Sequence, residues 1–130
     1  KQLQSPSLSD IDKKLIEIAI EQNIPLYGFC RGMQSILDYF GNSLINVKNH
    51  VAVRHMIGND LEKYEVNSYH NQGCIDLKDG EGLEVVYRSN DGVIEMVKHR
   101  IKPIIGTMWH PEREEKFADK DIIRVKNLIG

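Results

Sequence analysis

Hydrophobic positions along the chain predict alternating helices and strands. Residues 9–22 carry apolar side chains at helical spacing, with Ser9 as the expected N-cap, and Pro25 forbids continuation of this helix. Residues 24–29 form a short apolar run, which is typical of a strand buried on both faces of a parallel sheet. A second amphipathic helix follows and stops at Gly41.

The second half of the chain predicts mainly strands. Residues 83–88 and 93–98 alternate well, and the SNDG turn between them has hairpin chemistry. Residues 42–64 are harder to interpret. Three further strands and a C-terminal helix are expected at 43–47, 65–69, 104–109 and 122–129. This order predicts an α/β fold with an antiparallel hairpin in its second half.

Composition narrows the class of protein. A chain of 130 residues holds one domain, and 41% hydrophobic with 28% charged residues excludes a disordered chain. The net charge of −2 argues against a nucleic-acid partner, and no apolar run is long enough for a membrane span. Two cysteines are too few for a disulfide framework, which favours a cytoplasmic setting. The chain begins at Lys1 rather than Met, so a targeting segment can be missing.

A cysteine stands where a predicted strand turns into a helix, in the segment GFCRG. The thiol of Cys30 would lie at a helix N-terminus, where the dipole and free N–H groups favour the thiolate. Gly28 and Gly32 leave room for a strained backbone, and the N–H of Arg31 would face a developing oxyanion. The alternative is a buried structural cysteine, and this segment alone leaves both open.

A base for this thiol is expected in the segment WHPE. His110 follows the last predicted strand, and Glu112 can hold its far ring nitrogen and fix the tautomer. Because ligands bind at the carboxyl ends of strands in open α/β sheets, His110 can reach Cys30 there. The two segments together predict a Cys30–His110–Glu112 catalytic triad.

Three segments resemble class I glutamine amidotransferases, closest to the γ-glutamyl hydrolase (peptidase C26-like) branch. They are PLYGFCRGMQ at 25–34, VNSYHNQ at 66–72 and IGTMWHPE at 105–112. The resemblance implies a flavodoxin-like three-layer α/β sandwich, with a largely parallel central sheet plus the antiparallel hairpin. It also implies hydrolysis of a γ-glutamyl amide through a cysteine glutamyl-thioester, releasing glutamate.

The resemblance also implies substrate contacts. Gln34 would hold the glutamyl group, although a polar cap on the first helical turn is the alternative. Ser68 and Tyr69 would contact the α-amino and α-carboxylate groups, through backbone as well as side chain, although alternation in a half-exposed strand is the plainer explanation. His70 is open between substrate contact and a satisfied polar group.

Neither a cofactor nor a metal is expected. The chain has no P-loop, GxGxxG, HExxH or CxxC pattern. His50 and His55 are five apart, with no acidic or cysteine partner at ligand spacing, which disfavours zinc. Cys74 has no histidine at nucleophile spacing and is expected to be a passive apolar residue.

The chain departs from the family pattern at its start. Family domains begin with strands and a Gly-rich loop that supplies a second oxyanion N–H, and nothing before Ser9 matches that loop. Residues 1–130 are therefore expected to be the C-terminal portion of a single amidotransferase-like domain. Alone, this piece would expose a sheet edge and lack half of the oxyanion hole, so we expect poor solubility and no activity.

Several functions stay open on these residues. The first is a hydrolase of glutamine or of a γ-glutamyl amine or amidate. The second is a glutaminase subunit that delivers ammonia to a synthetase partner. A non-catalytic binding module and a redox sensor with a cysteine elbow are weaker alternatives, because both Cys30 and His110 are present. The expected partners are a small γ-glutamyl substrate and either a second copy or a synthetase.

Overall fold

The computed structural model describes residues 6–78, 82–110 and 119–129. Its first helix, α1 (Pro6–Gln22), begins three residues before Ser9, so the predicted N-cap is wrong. Proline suits the first helical position because its missing N–H would be unpaired there. Asn23 ends α1 in a left-handed conformation (φ 54°), and the N–H of Ile24 donates to the carbonyl of Ala19 at 2.9 Å.

The remaining elements alternate much as expected. Helix α2 (Arg31–Tyr39) follows Cys30 directly. Helix α3 (Asp119–Ile129) is the last element of the described chain. The strands are β1 (Leu26–Phe29), β2 (Ile45–Asn46), β3 (Val51–Gly58), β4 (Lys63–Tyr69), β5 (Gln72–Gly73), β6 (Leu83–Ser89), β7 (Ile94–His99) and β8 (Ile104–Thr107). The predicted β6–β7 hairpin is confirmed, and Gly92 provides the positive φ (89°) of its turn.

Six strands form one sheet in the order β1-β8-β7-β6-β3-β4, while β2 and β5 form a separate pair. The α/β class is confirmed. Within the described residues, parallel pairing is limited to β1 and β8, and the other neighbours pair antiparallel. The antiparallel part is thus larger than the single hairpin expected. The pattern did not reveal the two-residue strand β5 or the longer strand β3, whose first four residues are all exposed and so give no alternation.

Apolar residues cover both faces of the sheet. On one face α2 packs against β1 and β8 so closely that a Cβ at Gly28 would lie 2.7 Å from the Gly32 carbonyl carbon. On the other face, Arg124 of α3 lies over the rings of Tyr87 and Trp109. Helices therefore flank the sheet on two sides, as in a three-layer sandwich. Within the described ranges, no helix is long and apolar enough to cross a membrane.

Candidate active site

Cys30 occupies the strained turn between β1 and α2. It is the N-cap residue of α2, with φ 47° and ψ −98°, a backbone conformation that non-glycine residues rarely adopt. Its N–H donates to the carbonyl of Thr107 at 2.6 Å, and its carbonyl accepts from the N–H of Gln34 at 2.9 Å. These bonds to β8 and to α2 hold the cysteine in its turn. The strand–turn–helix arrangement expected around Cys30 is present.

His110 lies at the same edge of the sheet as Cys30. The strands β1 and β8 are parallel, with Phe29 paired to Thr107, and their carboxyl ends therefore coincide. Cys30 follows Phe29 directly, and His110 comes three residues after Thr107. The fold thus brings the expected nucleophile and the expected base to one edge, on adjacent strands.

The side-chain amide of Asn67 fixes the backbone at His110. Its Oδ1 accepts from the His110 N–H at 2.8 Å, and its Nδ2 donates to the His110 carbonyl at 2.8 Å. The ring of Tyr69 lies edge-on to the His110 ring, with centroids 6.0 Å apart. No role was expected for Asn67, although it lies within the VNSYHNQ segment.

Residues 67–70 alternate between two environments at the end of β4. Asn67 and Tyr69 contact His110, whereas Ser68 and His70 both bond to the carbonyl of His50, through the Ser68 hydroxyl (2.6 Å) and the His70 N–H (2.9 Å). The side chains of Ser68 and His70 are buried, and Tyr69 is 40% exposed. Of these three predicted contact residues, Tyr69 has the most accessible side chain.

Gln34 and Arg31 lie beside a small polar cavity. The Nε2 of Gln34 donates to the carbonyl of Gln72 at 3.3 Å. Together with Asp12 and Asp38, these side chains line a cavity of about 140 Å³. Its lining, within the described residues, includes neither Cys30 nor His110.

Two further predicted residues have simpler outcomes. Glu112 belongs to residues 111–118, which lie outside the described residues, so its place in a triad stays a prediction. Cys74 is buried, its thiol donates to the carbonyl of Asp76 at 3.2 Å, and burial raises its pKa. A buried, protonated thiol agrees with the passive role expected for Cys74.

Three histidines surround a buried carboxylate next to this edge. We call His50, His55, His70 and Glu95 the histidine–glutamate cluster. Glu95 is fully buried, and its oxygens lie 3.5, 3.4 and 3.4 Å from ring nitrogens of His50, His55 and His70. Burial raises the pKa of Glu95, but the three imidazoles outweigh it and hold the pKa well below its usual range. The pKa of His50 is raised, and Glu95 is the main cause. The cluster therefore favours a cation.

In the sequence, His50 and His55 have no acidic partner at ligand spacing, and the fold supplies one, Glu95 of β7. Glu95 was overlooked because charged strand residues usually face solvent. A signal was available, since Glu95 is the one charged residue in the run VIEMV at 93–97, whose residues are all buried. A carboxylate on an apolar strand face is expected to have buried partners.

The comparisons with known proteins identify the class. Residues 3–128 match the sequence family described as "Glutamine amidotransferase class-I". The chain belongs to this family. A solved glutamine amidotransferase from Methylobacillus flagellatus has the same fold, with a TM-score of 0.71 at 17% identity over 87% of this chain and 48% of that one.

Two relatives carry specific names. The chain is 38% identical over 113 residues to a gamma-glutamyl-CDP-amidate hydrolase from Campylobacter jejuni, covering 87% of this chain and 55% of that protein. It is 28% identical over 138 residues to a glutamine-hydrolysing GMP synthase from Francisella tularensis, covering 95% of this chain and 26% of that enzyme. The chain thus spans about half of the length of the hydrolase.

Proposed function

We propose that the protein hydrolyses a γ-glutamyl amide through a thioester at Cys30. The observation that carries the proposal is the position of Cys30: a strained N-cap at the carboxyl edge of two parallel strands, with His110 at the end of the second. Backbone strain of this kind concentrates at functional sites, because a merely structural cysteine gains nothing from it. The match to the hydrolase from Campylobacter jejuni supports the same chemistry.

The proposed reaction uses four residues. His110 accepts the thiol proton, and the Cys30 thiolate attacks the γ-carbonyl carbon. The N–H of Arg31, at the first position of α2, stabilises the oxyanion, with a second N–H expected from upstream residues. His110 then passes its proton to the leaving amine, which departs and leaves the thioester. Glu112 is proposed to orient the imidazole throughout.

Water completes the cycle. His110 takes a proton from the water molecule, and the hydroxide attacks the thioester carbonyl. Glutamate leaves and the proton returns to the thiolate. Because Asn67 bonds to both backbone groups of His110, it acts as a positioning residue for the base in both half-reactions.

The glutamyl group is proposed to bind beside the start of α2. Gln34 would hold it there, and Tyr69 would contact its α-substituents together with the backbone of Ser68. His70 is proposed to be a buried polar group rather than a substrate contact, because its ring nitrogens face the Gln72 carbonyl (3.0 Å) and Glu95 (3.4 Å).

The leaving group is proposed to be a nucleotide amidate, after the name of the Campylobacter relative. The test measures glutamate release by the full-length protein from glutamine, γ-glutamyl-γ-aminobutyrate and γ-glutamyl-CDP-amidate. Preferred cleavage of the amidate, lost in Cys30→Ala, is the expected result. Release of glutamate that persists in Cys30→Ala would contradict the mechanism.

A second candidate is a glutaminase subunit that delivers ammonia to a synthetase. The alignment of 95% of the chain within a GMP synthase favours it. Such a subunit would cleave glutamine slowly alone and faster with its synthetase bound. Cleavage of the amidate without any partner, and no glutaminase activity, would count against this candidate.

A further inference from the structure

We propose that the histidine–glutamate cluster is a structural zinc site, with His50, His55, His70 and Glu95 as its ligands. Three imidazoles and one carboxylate are a donor set that zinc binds in proteins. Ligand atoms of His50, His55 and Glu95 all lie within 4.8 Å of one another. The ring of His70 is a fourth donor, 3.4 Å from Glu95.

Two of the histidines are fixed in the tautomer that a metal requires. The Nε2 of His50 lies 2.7 Å from Asp91, which the Ser89 hydroxyl holds in turn. The Nδ1 of His70 lies 3.0 Å from the carbonyl of Gln72. With the N–H of each ring donated outward, the lone pair of the other nitrogen faces the cluster. This carboxylate–histidine arrangement is the usual outer shell of a zinc ligand.

Lone pairs that face a buried carboxylate repel it unless a cation lies between them. The cation could be protons on the rings, but N–H···O bonds are about 2.7–3.2 Å long. The nitrogen–oxygen distances to Glu95 are 3.4–3.5 Å, and both Glu95 oxygens and the facing nitrogens are buried without a hydrogen-bond partner. Tetrahedral zinc with bonds of about 2.0–2.1 Å separates neighbouring ligand atoms by about 3.3–3.4 Å. The distances from His50 and His70 run to one oxygen of Glu95 and that from His55 to the other, and all three match neighbouring ligands of a metal better than hydrogen bonds.

A β-bulge brings His50 and His55 to the same side. Side chains five residues apart point to opposite faces of a regular strand. The register of β3 against β4 slips between Val51 and Val53, and the extra residue, Ala52, has a φ of 55°. One inserted residue restores a common face. His55 is the least buried member of the cluster, with a side chain that is 16% exposed. A metal ion would enter the site from this side.

The site would join the segment before β3 and the middle of β3 to the end of β4 and to β7. With four protein ligands it has no open position, so zinc would act in stability rather than in the reaction. It would also fix residues 67–70, whose other side bonds to His110.

The test is metal binding by the full-length, tag-free protein after treatment with a chelator. Zn²⁺ and Co²⁺ are titrated by calorimetry, and the intensity of the visible Co²⁺ band reports tetrahedral geometry. We expect one equivalent bound with a Kd of about 1 µM or tighter, and a rise in Tm on adding zinc. Mg²⁺ and Ca²⁺ should neither bind nor compete, because they prefer oxygen ligands.

Single-residue variants test which side chains bind the metal. His55→Ala and Glu95→Gln should weaken zinc binding by at least about 100-fold, and Asp91→Asn by about 10-fold through the outer shell. His99→Gln, a histidine outside the cluster, and Cys30→Ala should bind zinc as the parent does. His55→Ala, at the more exposed position, keeps the test valid if Glu95→Gln fails to fold. Binding weaker than about 100 µM, an octahedral Co²⁺ spectrum, or full affinity in His55→Ala would overturn the proposal.

Discussion

The cysteine turn and the histidine–glutamate cluster lie on either side of the His110 segment, and they are built in opposite ways. At Cys30 the chain adopts a strained backbone at a single residue, which its neighbours β8 and α2 hold in place. In the cluster the backbone contributes register shifts at Ala52 of β3 and around Glu95 of β7, and the side chains depend on each other. The turn should therefore tolerate substitution without unfolding while losing activity, whereas the cluster should lose stability first.

The sharpest test of this contrast is Cys30→Ala. We expect kcat to fall by about four to six orders of magnitude, as it does when a nucleophile is removed, with Tm nearly unchanged. Glutamate release and a thermal melt measure the two effects. The matched control is Cys74→Ala, the other buried thiol, which should retain activity. Substantial turnover by Cys30→Ala would remove the thiol from the mechanism.

The opposite pattern is expected for Glu95→Ala. With the metal removed, protons on the imidazoles replace it as the cation, and removing the Glu95 carboxylate leaves them without their buried counter-charge. The free energy of unfolding should therefore fall by about 3–5 kcal/mol. Urea unfolding in the presence of a chelator measures the effect independently of metal. Glu65→Ala is the control, because its pair with Arg54 (3.0 Å) is exposed and should contribute about 0–1 kcal/mol. Equal losses in the two variants would refute the dependence of the cluster on Glu95.

Asn67 lies between the two regions, and its loss should displace His110, the proposed base. Asn67→Ala removes both bonds to the His110 backbone, and we expect kcat to fall by about 10–100-fold with little change in KM. Asn42→Ala is the control, since Asn42 is also a buried amide that bonds to backbone on both sides, at Leu37 and Lys78. It should lose stability but not kcat. An equal fall of kcat in both variants would indicate general destabilisation instead.

The smallest effect concerns the strain itself. Glycine adopts a φ of 47° at no steric cost, so Cys30→Gly should be more stable than Cys30→Ala by about 1 kcal/mol, although both are inactive. Urea unfolding of the two variants side by side gives the difference. If Cys30→Gly is no more stable than Cys30→Ala, the turn stores no strain. The contrast between the two regions would then lack one of its supporting observations.

The sequence predicted the turn because its determinants are neighbours in the chain. An apolar run, two glycines around a cysteine and an amphipathic helix are all within residues 24–41. The hairpin at residues 83–99 was predictable for the same reason, since alternation and turn residues are local signals. The start of α1 was misplaced because Ser9 is an acceptable cap, and Pro6 three residues earlier is a better start.

The strand β3 was missed for a physical reason. Its first four residues are exposed, and its bulge at Ala52 breaks the period-two pattern on which strand prediction depends. The same bulge hid the shared face of His50 and His55. The pairing of Glu95 with three histidines spans up to 45 residues of sequence, from His50 to Glu95, and no spacing rule connects them.

The sequence by itself determined the class of fold, the cysteine turn and the histidine at the end of the last strand. Each depends on interactions within a few residues, and a single chain displays these as periodicity and motifs. The tertiary structure alone decided that Asn67 holds the His110 backbone and that three histidines meet around a buried carboxylate. Those contacts depend on strand register, which shifts at Ala52 and around Glu95, and a one-residue slip would turn every side chain to the other face.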